Sequence, residues 1–261
     1  MLSVESLCVS VGSKTLLDGV DLALQAGEVL AVVGPNGAGK TTLLKSLTGE
    51  VQPQVGQVLF QGRPMAAWSP EERARLLAVL PQSSSLNFPF QVDEVVQLGR
   101  LPHDTGIVRD SEIVSLALAE VDIAHLADRV YTTLSGGEKQ RVHLARVLAQ
   151  VWEEQVDYPR CLLLDEPTSA LDLAHQNSVL AAARAMAEQG VGVLVILHDL
   201  NLASQFADRV LMLNQGRVHA AGKAASVLTA ENIEQVFAVS VDIIEHPRNG
   251  KPLIVQGEIS Q

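Results

Sequence analysis

Aromatic residues are scarce in this sequence: Phe, Trp and Tyr make up 3% of 261 positions, against 47% hydrophobic residues overall. The core is therefore expected to be built of Leu, Val and Ala. Basic residues are also short, 19 Lys and Arg against 30 Asp and Glu, for a formal net charge of −11. That balance argues against non-specific nucleic-acid binding, which needs a basic face, although a local basic patch stays possible. There are two cysteines, Cys8 and Cys161, each in an apolar, strand-like run. Their spacing makes no metal motif, and both are expected as buried, reduced thiols, in keeping with a reducing compartment. No apolar run approaches the ~18–20 residues that span a bilayer; the longest are of the kind "VGVLVIL" at Val191–Leu197. The N-terminus lacks a basic stretch followed by an apolar one, so no signal peptide is expected. A chain of this kind is cytosolic and, to work at a membrane, must dock onto something else.

What is present is a succession of strands and helices. "LSVESLCVSV" and "GVDLALQAGE" alternate as half-buried antiparallel strands do. "EVLAVVG", "CLLLDEP" and "VGVLVILHD" are nearly continuous apolar runs, as in strands buried on both faces. "GQVLFQG" and "LAVLPQ" read as further strands. "WSPEERARLL" starts a helix, with Ser69 as N-cap and Pro70 in its first turn. From Ser83 to about Ala149 the pattern is helical, a unit inserted between two strands. Helices follow at "DLAHQNSVLAAARAMAEQG", "LNLASQFA" and "TAENIEQVF", the last capped by Thr229. "RVLMLNQGRVHAAG" reads as a hairpin, and so does the tail, turning at Asn249-Gly250. The pattern predicts an α/β fold with a mainly parallel core sheet and an N-terminal antiparallel side sheet.

Two features carry chemistry. The first is Gly34-Pro35-Asn36-Gly37-Ala38-Gly39-Lys40-Thr41-Thr42, a complete G-x-x-x-x-G-K-[ST] loop between a buried strand and a helix. Its backbone N–H groups would wrap a phosphate, Lys40 would reach the β- and γ-phosphates, and the Thr41 hydroxyl would ligate Mg²⁺. The second is the set of strand ends. Asp165 and Glu166 close "LLLDE", where parallel sheets place their catalysts. Asp165 suits Mg²⁺ held through water, and Glu166 suits a base that polarises a water beside the γ-phosphate. His198 follows another buried strand and is a candidate γ-phosphate contact. Gln82 also sits at a strand end, where a glutamine can hold water or Mg²⁺. Alone, each of these last signals is weak; the phosphate loop gives them their meaning. The other six histidines, His143 and His175 among them, are expected on the surface or on helix faces.

A second anion site follows from Leu134-Ser135-Gly136-Gly137-Glu138, a polar residue and two glycines opening a helix. It lies in the helical unit, away from the strand ends that carry the phosphate loop. Two copies of the chain about a two-fold axis could each close the other's site, with Ser135 and the N–H groups of Gly136 and Gly137 holding the partner's γ-phosphate. Nucleotide would then act as glue, and hydrolysis would remove it.

The phosphate loop, Gln82, "LSGGEKQR", "LLLDEPTSALD" and His198, in this order, resemble the ATP-binding subunits of ABC transporters, over about Leu2 to Gly222. The resemblance implies a P-loop ABC ATPase with ATP and Mg²⁺, in which residues 1–82 and about 150–222 form a RecA-like core with the side sheet. Residues 83–149 would then be a helical subdomain, and about 223–261 a C-terminal helix and hairpin. It implies that Ser169, Ala170, Leu171 and Asp172 form a loop contacting the facing chain of a homodimer. It also implies that Gln82 and the helical subdomain receive two copies of a transmembrane permease subunit at the cytoplasmic face of the inner membrane. "SLNFPFQVDEVVQLGR" resembles importers of iron chelates, vitamin B12 and heme. An added segment, Val151–Arg160, resembles the heme (hemin) importer group, with a periplasmic heme-binding protein as an indirect partner. Siderophore or B12 cargo, or a soluble role such as iron–sulfur assembly, stay open. One departure is Val11, which stands where that family usually stacks the adenine on an aromatic side chain.

Overall fold

A computed structural model describes residues 1–83, 86–155, 158–169 and 171–257. The chain opens with β1 (Leu2–Val11), β2 (Lys14–Leu24) and β3 (Val29–Val33), then α1 (Lys40–Leu47), β4 (Val55–Phe60), β5 (Arg63–Pro64), α2 (Pro70–Leu76) and β6 (Leu77–Leu80). A helical stretch follows: α3 (Val92–Gln97), α4 (Ile107–Glu120) and α5 (Gly136–Gln150). The chain then returns through β7 (Cys161–Asp165), α6 (Leu173–Glu188), β8 (Gly192–Ile196), α7 (Leu200–Phe206), β9 (Arg209–Asn214) and β10 (Arg217–Lys223). It ends with α8 (Ala224–Val227), α9 (Ala230–Phe237), β11 (Val241–Glu245) and β12 (Pro252–Gln256).

The central sheet has the order β10-β9-β3-β8-β7-β6 and is parallel except for the β9–β10 hairpin. A second, antiparallel sheet has the order β2-β1-β4-β5. Every residue of β3, β7 and β8 is buried, because the parallel sheet is covered on both faces. Along β3, Ala31 and Val33 join the core shared with the helical stretch and α6, while Leu30 and Val32 join the core under the antiparallel sheet and α1. Both cores are mainly aliphatic, as the scarcity of aromatics requires. Ser69 caps α2 as expected: its Oγ accepts from Glu72 N, and the Glu72 carboxylate accepts from Ser69 N.

Two expectations need correction. Cys8 is only half-buried, not buried. Ser6 has φ 46°, and the β1–β2 register slips between Val4 and Leu7. The inward face moves from Leu2 and Val4 to Leu7 and Val9, which leaves Cys8 on the other side. β2 starts at Lys14, five residues before its alternating pattern was expected to begin at Gly19, because Gly12 (φ 59°) turns the chain directly from β1. Of the alternatives for His143, surface or helix face, it takes the second, on the inward face of α5. It is 1% exposed, and its Nε2 lies 2.8 Å from the Tyr131 hydroxyl.

Candidate nucleotide site

The sheet gathers the candidate residues at one edge. Strands β3, β8, β7 and β6 are successive parallel neighbours, so their C-terminal ends lie side by side. The phosphate loop leaves β3, His198 follows β8, Asp165 ends β7, and Gln82 stands two residues beyond β6. Two glycines let the loop close on itself. Gly34 (φ 153°) passes so near β9 that a Cβ would lie 2.3 Å from Leu213 O. Gly39 (φ 106°) begins α1 where a Cβ would lie 2.8 Å from Leu16 O.

A polar cavity of 290 Å³ opens over this edge. It is lined by Asn36, Gly37, Gly39, Lys40, Thr41 and Thr42 of the loop and by Gln82 and Glu166. Lys14 and Leu16 of β2 complete it, and sequence reasoning missed both. The available signal was a lysine three residues after Val11, at the start of the next strand. Val11 itself is exposed and does not line the cavity. A larger hollow of 530 Å³ lies between α7, α9 and the C-terminal hairpin, next to His198. Its walls are mostly apolar and offer no phosphate cradle, so a nucleotide belongs in the smaller site.

Glu166 is the focus of the site. It sits in the left-handed region, at φ 51°, a backbone conformation uncommon for a non-glycine residue and often found at functional sites. Both oxygens are engaged: Gln82 Nε2 donates to Oε2 at 2.7 Å, and His198 Nε2 donates to Oε1 at 2.5 Å. Gln82, Glu166 and His198 thus form one cluster across three strand ends. Lys40 is 6% exposed, and its ammonium donates to Gly34 O at 2.7 Å and Pro35 O at 3.1 Å. Burial pushes its pKa down, against the pull of Glu166 and Asp165. Asp165 is pushed up by burial and by the Glu166 charge, with Lys40 opposing. The Asp165 Oδ1 atom is buried and has no hydrogen-bond partner among the described residues. A buried carboxylate oxygen left without a partner fits a hard cation that takes oxygen ligands.

The second anion motif does not reach this cavity: no described residue of Leu134–Glu138 lines it. Ser135 instead caps α5. Its N–H and its hydroxyl donate to Glu138 Oε2 at 2.8 and 2.7 Å, and its Oγ accepts from Glu138 N at 3.3 Å. These bonds hold the Glu138 carboxyl below its ordinary range. The start of α5 touches the loop after β7, where a Cβ on Gly137 would meet Leu171 at 3.2 Å. In that loop Ser169 Oγ donates to Glu166 O at 2.9 Å, and Asp172 caps α6 by accepting from His175 N at 2.9 Å. Ala170 lies outside the described residues.

A family model described as ABC transporter matches residues 17–169. A hemin import ATP-binding protein of Pseudomonas fluorescens is 58% identical, covering 98% of this chain and 99% of that protein. The protein of the same name in Pseudomonas aeruginosa is 54% identical, over 98% and 99%. Among solved structures, an inward-facing metal-chelate type ABC transporter superposes with a TM-score of 0.80 at 30% identity, covering 98% of this chain and 96% of that one. A dimeric bacterial ABC transporter cassette superposes with a TM-score of 0.75 at 25% identity, over 86% and 99%. With a phosphate loop, a carboxylate pair and a histidine on one edge of a mainly parallel sheet, and with relatives of this likeness over its whole length, the chain belongs to the ABC transporter family as an ATP-binding subunit.

Proposed function

We propose that this chain hydrolyses ATP to drive heme import, as one of two identical subunits bound to two permease subunits at the cytoplasmic face of the inner membrane. The observation that carries the catalytic part is the cluster of Gln82, Glu166 and His198 facing the phosphate loop. The loop N–H groups and Lys40 bind and orient the phosphates. Thr41, Gln82 and Asp165 would hold Mg²⁺, which would neutralise charge on the phosphate oxygens. Glu166, steadied by Gln82 and His198, takes the proton of the attacking water, and His198 meets the γ-phosphate. Because the Ser135–Gly137 end of α5 lies off the cavity, we assign it to the nucleotide of the facing chain. Ser169, Leu171 and Asp172 then belong to the chain–chain contact, and Ala170 is placed with them on the resemblance alone. Residues 83–149 act as the helical subdomain.

Two further observations support the transport reading. No helix among the described residues is long and apolar enough to cross a membrane, so a transport role needs a separate membrane partner. The stretch after Gln82, the turn after α3 and the first residues of α4 expose Phe88, Phe90, Leu101, Ile107 and Val108, apolar side chains that fit a permease contact. The heme assignment is supported by the full-length likeness to hemin import proteins. Growth on heme as sole iron source tests it, in the organism of origin with this gene deleted and then restored as wild type or Glu166→Gln. Loss of growth that only wild type restores is expected. Normal growth of the deletion strain, with no second heme system, would redirect the cargo to a siderophore or B12.

A further inference from the structure

The added segment Val151–Arg160 follows α5 directly, and its described residues are tied down from both sides. Arg100, in the turn after α3, is 2% exposed. It donates to Asp110 of α4 (2.8 Å), Ala149 O of α5 (2.8 Å), Thr105 Oγ1 (3.0 Å) and Glu153 of the segment (2.7 Å). Glu153 also accepts from Arg109 of α4 at 2.8 Å. The turn rides directly on α5, since a Cβ on Gly99 would lie 2.2 Å from Arg146 O. From the sheet side, buried Arg160 donates to Val151 O (2.9 Å), Trp152 O (2.5 Å) and Gln189 O at the end of α6 (2.8 Å). Tyr158 sets its ring edge-on to Trp68, with centroids 5.4 Å apart, and Gln61 donates to Pro159 O at 2.6 Å.

These anchors meet at the C-terminal end of the helix whose other end carries Ser135. The carbonyls there, which no helix can satisfy internally, are taken by side chains from two directions. Ala149 O is taken by Arg100, Gln150 O lies 2.7 Å from His103 Nε2, and Val151 O and Trp152 O are taken by Arg160. Gln150 in turn donates to Ala74 O of α2 (2.7 Å) and to Leu77 O at the start of β6 (3.1 Å). Fifteen residues make α5 about 22 Å long, so a tilt of roughly 10° about this end moves Ser135 by about 4 Å, more than a hydrogen bond tolerates.

We propose that Glu153 is a positioning residue for the shared nucleotide site: by pinning Arg100 and Arg109 to the segment that leads into β7, it fixes the angle at which α5 presents Ser135 to the facing chain. This rests on the reading that two chains share their sites. The test compares full-length Glu166→Gln with Glu166→Gln/Glu153→Gln and Glu166→Gln/Arg109→Gln. ATP-dependent dimer formation is followed by size-exclusion chromatography, and binding of a fluorescent ATP analogue is measured at concentrations where the chain is monomeric. Glu153→Gln is expected to raise the ATP concentration for half-dimerisation by about tenfold, the effect of roughly 1.4 kcal/mol, with monomer affinity unchanged. Arg109→Gln, which keeps buried Arg100 paired, should give a smaller shift in the same direction. Unchanged dimerisation in both double variants overturns the proposal while leaving the shared site intact. Equal loss of monomer affinity and dimerisation also overturns it, because that is a structural defect. A Glu166→Gln chain that stays monomeric with ATP removes the shared-site reading and the proposal with it.

Discussion

Replacing Glu166 by Gln tests the catalytic cluster most directly. The change removes a charge and one acceptor and adds two donors while keeping shape. In the native site Oε1 accepts from His198 and Oε2 from Gln82. An amide has a single oxygen, and His198 Nε2–H needs it, so the new NH₂ must face the NH₂ of Gln82. Gln82 can relieve this only by turning its own amide, which swings its oxygen toward residue 166. The cluster therefore survives, but without a base. Loss of general-base catalysis costs ~10²–10⁴ in rate, or about 3–5.5 kcal/mol of barrier. Phosphate release at saturating Mg-ATP should fall by that factor. Affinity for a fluorescent ATP analogue should stay within about threefold, under 1 kcal/mol, because Lys40, Thr41 and the loop are untouched. The uncleaved nucleotide should then accumulate dimers. Turnover within tenfold of wild type would refute the role of Glu166 as base, since no other carboxylate lines the cavity among the described residues.

Lys40→Ala removes the one ammonium within the loop and should abolish nucleotide binding or turnover; unchanged phosphate release would sink the phosphate-loop assignment. Ser135→Arg alone should bind nucleotide yet not dimerise, whereas mixing it with Lys40→Ala gives heterodimers with one intact composite site. Recovered phosphate release in that mixture supports sharing, and none at any ratio counts against independent sites. The Arg100 cluster predicts a pH signature. Burial alone would raise the Asp110 and Glu153 carboxyls, but donors outweigh it, Thr105 and Arg100 at Asp110 and Arg109 and Arg100 at Glu153, so both lie below their ordinary range. A depressed carboxyl stabilises the fold above its unfolded pKa and stops doing so as pH falls through the folded one. The Tm gap between wild type and Glu153→Gln should thus be full near neutrality and narrow only as pH falls below the unfolded glutamate pKa of about 4.3 toward the depressed folded one. A gap that is already absent at neutral pH, or that widens as the pH is lowered, would contradict the ion-pair account.

The residues legible in the sequence were those whose position follows from local pattern. Gly34, Asp165 and His198 sit at ends of continuous apolar runs, and a parallel sheet brings such ends together. What stayed hidden depends on contacts between distant parts of the chain. Nothing near Gln82 says that it bonds to a carboxylate 84 positions on. Lys14 and Leu16 reach the cavity only because β2 lies against the loop, with Leu16 O close to Gly39. Cys8 was misjudged because a bulge at Ser6 reverses the inward face within one strand. The contacts of the Val151–Arg160 segment were not legible because its partners, Arg100, Arg109 and Gln189, lie 29 to 53 residues from the groups they bond.

The loop from Pro167 to Asp172 has a consequence at the level of the pair. At one end Ser169 holds the backbone of Glu166; at the other Leu171 lies under Gly137, and Gln140 donates to Pro167 O at 3.4 Å. Under the shared-site proposal, the base used within one chain and the donors offered to the facing chain would both be tied to the same short stretch of backbone. Two facing chains sharing their sites in this way would form a closed circuit in which a displacement at either nucleotide reaches the other through a few residues. Firing at one site would alter the grip on the other, so the pair would behave as a single two-stroke engine.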